Sequence, residues 1–205
     1  MTKSQQTTAS PTMDASHPLR VATGMVCPHA KAVVEFLLDI GLSVVIRPGA
    51  GGFVSHISIL EGALLVDPRA SASNILHEAG HIAVCPSRFR AYLSGDLEKG
   101  FARAFDEIDD MDPDEELHRN LIQAGETEAT AWAWAAGFAL GIPEDEIVRD
   151  IDYGGAGKEI RLMLSMRCYL GINGLARAGF CKVRARACSG LTESVFPNLN
   201  FWLQD

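Results

Sequence analysis

Five consecutive residues, His77-Glu78-Ala79-Gly80-His81, set two imidazoles four positions apart with a carboxylate beside the first. On an α-helix, positions i and i+4 share a face one turn apart, so both rings can reach a single Zn²⁺ at about 2.0–2.1 Å. Glu78 then falls beside the metal rather than on it. There it can take a proton from a water that the metal has acidified, the task of a general base in metal-assisted hydrolysis. With 6 His and 13 Glu in 205 residues, random placement yields this pattern in about 1% of chains. The surroundings must therefore carry part of the argument.

They read as a helix. Ser71 and Ser73 are good N-cap residues, and Ile75, Leu76, Ala79, Ile82 and Ala83 recur at helical spacing, so one face packs inward. Pro86 ends the run soon after His81. Ala79 and Gly80 leave the motif uncrowded, although Gly costs roughly 1 kcal/mol in a helix interior. A catalytic zinc site needs a third protein ligand, with the fourth position left to water. The segment Ala124 to Ala136 is Ala-rich and apolar, opens with Glu126 and Glu128, and stops at Gly141 before Pro143. A carboxylate at the front of a buried helix needs a partner, and a metal is one. His118, nearby in sequence, is the rival third ligand.

Taken together, His77-Glu78-Ala79-Gly80-His81 and Glu126-Thr127-Glu128-Ala129-Thr130-Ala131-Trp132-Ala133 resemble the ImmA/IrrE family of metallopeptidases. Its members carry His-Glu-x-x-His and, on a later helix, Glu-x-x-Ala-(Asn/Asp)-x-Phe-Ala. The resemblance covers roughly residues 28–145. It implies zinc as cofactor, Glu126 as third ligand with Glu128 as fallback, and Glu78 as catalytic base. It also implies a protein substrate in the cytoplasm, often a helix-turn-helix repressor of stress, phage or mobile-element genes. Thr130 departs from the pattern, since Asn or Asp there would support the zinc ligands by hydrogen bonding. The alternative this departure leaves open is a zinc-bearing protein-binding module, an antirepressor or regulator that does not cut.

The elements that must hold these residues follow from periodicity. Pro28 to Ile40 is an amphipathic helix stopped by Gly41, and Leu42 to Arg47 is a β-branched strand running into Pro48-Gly49-Ala50-Gly51-Gly52. That glycine-rich loop has no Lys-Ser/Thr follow-on and opens no helix, so a phosphate role is not expected. Phe53 to Leu60 alternates like a strand, with His56 inside it, and Glu61-Gly62 turns it into Ala63 to Val66. The expected fold is α+β: a small three-stranded, antiparallel-type sheet packed on helices, one carrying the motif, with a helical C-terminal region. An edge of that sheet could pair with an extended substrate. Further helices are expected at 144–150, 157–170 and 172–178, with a break at Gly171. The expected division is a disordered tail (1–19), a zincin-like core (20–145) and a helical extension packed on it (146–205). Tyr92, Tyr153 and Tyr169 are candidate oxyanion donors.

Composition sets the limits. The net charge of −8 argues against direct nucleic-acid binding. No apolar run is long enough to span a membrane; Ala131 to Ile142 falls well short of the roughly 20 residues needed. Charge is uneven, with ten acids against two bases in 96–116 and seven bases against one acid in 153–190. The acidic block 106–116 lacks the central Gly of a calcium loop and reads as a solvated segment. The five cysteines, Cys27, Cys85, Cys168, Cys181 and Cys188, contain no Cys-x-x-Cys pair and read as reduced thiols, with Cys85 packed and inert.

Overall fold

The computed structural model describes residues 24–184 and 194–205; the expected tail at 1–19 and Cys188 lie outside them. The fold is α+β, a small three-stranded sheet surrounded by helices. Helix α1 (Pro28–Asp39) begins on a proline and buries Ala30, Val33, Val34 and Leu37. Gly41 follows it at φ +94°, a left-handed stop that a side chain would resist.

Strands β1 (Val44–Ile46), β2 (Ile57–Leu60) and β3 (Ala63–Val66) form a sheet of order β1-β3-β2. Glu61 and Gly62 both have positive φ, 49° and 75°. They make a two-residue turn whose twist matches antiparallel strands, and Leu60 pairs with Ala63 across it. The sheet is mixed rather than antiparallel throughout: β1 runs parallel to β3, with Val44 opposite Leu64 and Ile46 opposite Val66. The stretch 47–56 carries the chain past the place of β3, which then returns through the tight turn into the middle. Central position suits β3, because Leu64 and Val66 are fully buried. Strand β2 is consequently an edge.

Helix α2 (Ala72–Val84) carries the motif; the Ser71 hydroxyl caps it by accepting from Asn74 N–H at 3.1 Å. A 3₁₀ turn at Ser87–Tyr92 leads to α3 (Leu97–Ile108), which the Asp96 carboxylate caps at Lys99 N–H, 3.3 Å away. Helix α4 (Glu116–Ile122) comes next. Part of the acidic block is thus ordered helix, anchored by buried Ala104 and Ile108. Helix α5 (Glu126–Ala139) is buried on all sides from Glu128 to Gly137 and packs between α2 and a later helix, the arrangement of a central core helix.

Helices α6 (Glu144–Ile147), α7 (Gly157–Ser165) and α8 (Leu170–Arg177) follow. Gly171 lies inside α8 rather than breaking it, and the interruption falls at 166–169. The glycine has a packing reason: a Cβ there would lie 1.9 Å from Thr127 O. The described chain beyond Arg177 is not helical. Its last residues dock on the body, with Trp132 Nε1–H donating to Trp202 O at 2.9 Å and Gln204 N–H to Ala83 O at 2.9 Å. Arg90 donates to Ile82 O and Cys85 O at the end of α2 and to Gln204 O. Among the described residues, no helix is long and apolar enough to cross a membrane. The four described cysteines are free thiols; Cys85 is buried, its Sγ faces Pro86 O, and burial pushes its thiol up to about 12.

Candidate metal centre

One turn of α2 presents His77 and His81 on the same face, with Nε2 atoms 3.3 Å apart and rings edge-to-face. The first turn of α5 crosses in front of them. Glu126 Oε2 lies 3.3 Å from His77 Nε2, and Glu126 Oε1 lies 3.4 Å from His81 Nε2. Donors each about 2.05 Å from a tetrahedral ion stand about 3.3–3.4 Å apart, a spacing that the two Nε2 atoms match and that a separate Glu126 oxygen matches to each ring. The donor chemistry fits as well, two imidazoles and one carboxylate. His77, Glu78 and His81 also bring ligand atoms within 4.8 Å of one another and could hold a metal ion. Two carboxylates therefore compete for the third place. Glu126 turns its two oxygens to both rings, whereas Glu78 stands one residue round the helix from His77.

Burial separates the roles of these groups. His81 is 2% exposed; burial, and then the charge of His77, push its pKa down to about 4, against a smaller opposing effect of Glu126. It therefore offers a neutral ring at ordinary pH, the form that binds metal. Glu78 is 9% exposed, and burial raises its carboxyl above the usual range, with Glu126 adding to this and His77 opposing it. A carboxylate so raised is a better proton acceptor. Glu126 is lowered, chiefly by its hydrogen bond to His77.

The two rings are held differently. His77 Nδ1 lies 3.2 Å from Tyr153 Oη and 3.5 Å from Thr130 Oγ1, whereas His81 Nδ1 is buried with no hydrogen-bond partner. Tyr153, in the loop between α6 and α7, stands edge-on to His77 with ring centroids 5.6 Å apart. Thr130 Oγ1 also donates to Glu126 O at 3.0 Å.

The remaining sequence candidates sort clearly. Glu128 turns away from the histidines: a Cβ on Gly174 of α8 would fall 2.0 Å from its Oε1, and Thr127 Oγ1 donates to its Oε2 at 2.9 Å. His118, on α4, does not line the cleft. Tyr92 is bonded to Glu107, away from the site. Tyr169 lines the cleft and is the tyrosine left facing it without contact to a histidine. His56 lies in the turn before β2, not within the strand, at φ +70°, with Nδ1 3.8 Å from buried Asp67. Asp67 itself accepts from Gly49 N–H and from the Arg69 guanidinium, which holds its carboxyl well below the usual range.

These groups share a cleft of about 1240 Å³ that runs from the metal centre along β2. Its walls include the apolar side chains of Phe53, Leu97 and Ile151, which the sequence did not mark as cleft residues because only the folded chain brings them together. No family model, curated protein or solved structure matches this chain.

Proposed function

We propose that this chain is a zinc-dependent endopeptidase acting on a specific protein substrate inside the cell, and that His77, His81 and Glu126 hold the metal. The observation that carries this reading is the pair of imidazoles with Nε2 atoms 3.3 Å apart, each with one Glu126 oxygen 3.3 or 3.4 Å away, and the raised carboxyl of Glu78 beside them. Zinc, when bound, supplies Lewis acidity that polarises a carbonyl and makes water a nucleophile at neutral pH. Glu78 takes the proton of the attacking water and returns it to the leaving amine.

The edge strand supplies the binding logic. His56 O accepts from Asp67 N–H, so alternation turns the backbone groups of Ile57 and Ile59 toward the outer edge of β2. Gly95 N–H already meets Ile59 O at 2.9 Å. Ile57 remains to pair with an extended peptide lying in the cleft. The arginines of the cleft argue against a site for a free C-terminal carboxylate, since Arg69 is paired with Asp67 and Arg149 with Asp152. An internal peptide bond is the better fit. The resemblance to ImmA/IrrE proteins extends the substrate to a DNA-binding repressor.

Glu78→Gln tests the reading. Zinc stays at one per chain while cleavage of a cognate protein is lost; a variant that still cleaves at the wild-type rate contradicts the role of Glu78. Thr130, neutral where the family pattern has Asn or Asp, favours a second reading, a metal-bearing binding module. Tight binding of the partner by wild-type protein with no new chain ends would select it.

A further inference from the structure

A metal-binding His77 needs its tautomer set by a neighbour. As a ligand, Nε2 must present its lone pair, so the ring proton sits on Nδ1 and needs an acceptor. The nearer of the two hydroxyls is Tyr153 Oη at 3.2 Å, with Thr130 Oγ1 at 3.5 Å. Thr130 donates its proton to Glu126 O at 3.0 Å. That proton therefore points away from His77, and both hydroxyls can accept the ring proton. The opposite direction would put the ring proton on Nε2, among the donor atoms, and block coordination.

Resting on the metal reading, we propose that the Tyr153 and Thr130 hydroxyls together accept His77 Nδ1–H and so fix the tautomer that turns the Nε2 lone pair toward the metal. Thr130 stands at the limit of hydrogen-bond reach, and Tyr153, entering from the α6–α7 loop, is the nearer acceptor. His81 contrasts with this, its Nδ1 buried with no hydrogen-bond partner. Both residues are positioning residues; neither touches the substrate in this scheme.

Zinc affinity of the full-length chain, read by competition with a chromophoric chelator, tests this pair of acceptors without any substrate. Tyr153→Phe keeps the ring against His77 and removes the hydroxyl. It should weaken zinc about 10- to 100-fold, the usual effect of losing such a partner. Thr130→Val should weaken zinc in the same direction, and Thr130→Ser should restore it. Because the two hydroxyls share one donor, the double variant should lose more than either single one. In the zinc-loaded wild type, the ¹⁵N signal of His77 Nδ1 should be that of a protonated nitrogen. Wild-type zinc affinity in both Tyr153→Phe and Thr130→Val overturns the positioning role of the two hydroxyls while leaving the metal reading intact. A wild-type chain that binds no zinc overturns both.

Discussion

Gly80 of the motif helix lies against Ala129 of α5, so closely that a Cβ at position 80 would fall 2.5 Å from Ala129 O and 2.9 Å from its Cα. The glycine inside His-Glu-x-x-His is therefore a crossing point. It lets the backbones of α2 and α5 approach until Glu126 stands opposite both histidines. Far from leaving the motif uncrowded, the small residue lets it be crowded from outside.

Gly80→Ala sets two effects against each other. Alanine gains roughly 1 kcal/mol of helix propensity, but its methyl meets backbone that cannot move alone, and overpacking costs about 1–3 kcal/mol. The clash should win. We expect lower urea stability together with weaker zinc binding, because any separation of α5 from α2 carries Glu126 away. Unchanged zinc affinity in a stable Gly80→Ala protein would show that the crossing does not set the site.

Glu126 and Glu128 are separated by two positions and so point in different directions from α5. The first meets the histidines and the second packs at Gly174. Glu126→Gln should come through dialysis with less than one zinc per chain, whereas Glu128→Gln should keep full occupancy. Metal analysis of the two purified variants decides between them, and the reverse pattern would move the third ligand to Glu128.

The metal-free protein should lose stability in acid through His81. Its folded pKa of about 4 lies below the ordinary 6.5, so the unfolded chain binds the extra proton first. Stability from this group is complete above pH 6.5 and declines as pH falls toward 4, by up to about 3 kcal/mol. Glu78 acts with the opposite sign. Its folded pKa is raised, so ionising it in the fold costs stability as pH rises past the unfolded value of 4.5. Glu78→Gln should therefore stabilise the metal-free chain at pH 7. Urea denaturation in chelator across pH 4 to 8 reads both effects; a flat profile in the Glu78→Gln variant, where the opposing group is gone, would contradict the first.

Arg90 ties the end of α2 to the last residues of the described chain through carbonyls of Ile82, Cys85 and Gln204. Replacing it by Leu leaves those carbonyls without their charged donor and should cost about 2–4 kcal/mol. The shift in urea midpoint measures it, and a change below about 0.5 kcal/mol would assign the tail's docking to Trp202 and its neighbours instead.

Much of this could be read from residue order, because local signals carried it. Ser71 caps the motif helix, Glu61-Gly62 forms the tight turn, and Gly41 and Gly141 stop their helices. What escaped depends on contacts distant in sequence. The parallel pairing of β1 with β3 has no local signature, since nothing in Val44-Val45-Ile46 states its partner. Gly171 reads as a helix break until its approach to Thr127 is seen. Within the acidic block, charge hides the apolar spacing of Leu97, Phe101, Ala104 and Ile108 that holds α3. Tyr153 sits between Asp152 and Gly154 in a turn, and only the folded chain brings it to His77.

Zinc held by two imidazoles and a carboxylate is tested most directly by X-ray absorption at the zinc edge of the purified wild-type chain. The predicted spectrum shows one zinc per chain with two imidazole nitrogens and oxygen ligands at about 2.0–2.1 Å, the imidazole signature disappearing in a His77→Ala/His81→Ala double variant. Protein with no stoichiometric zinc, or with sulfur ligands at about 2.3 Å, would contradict it.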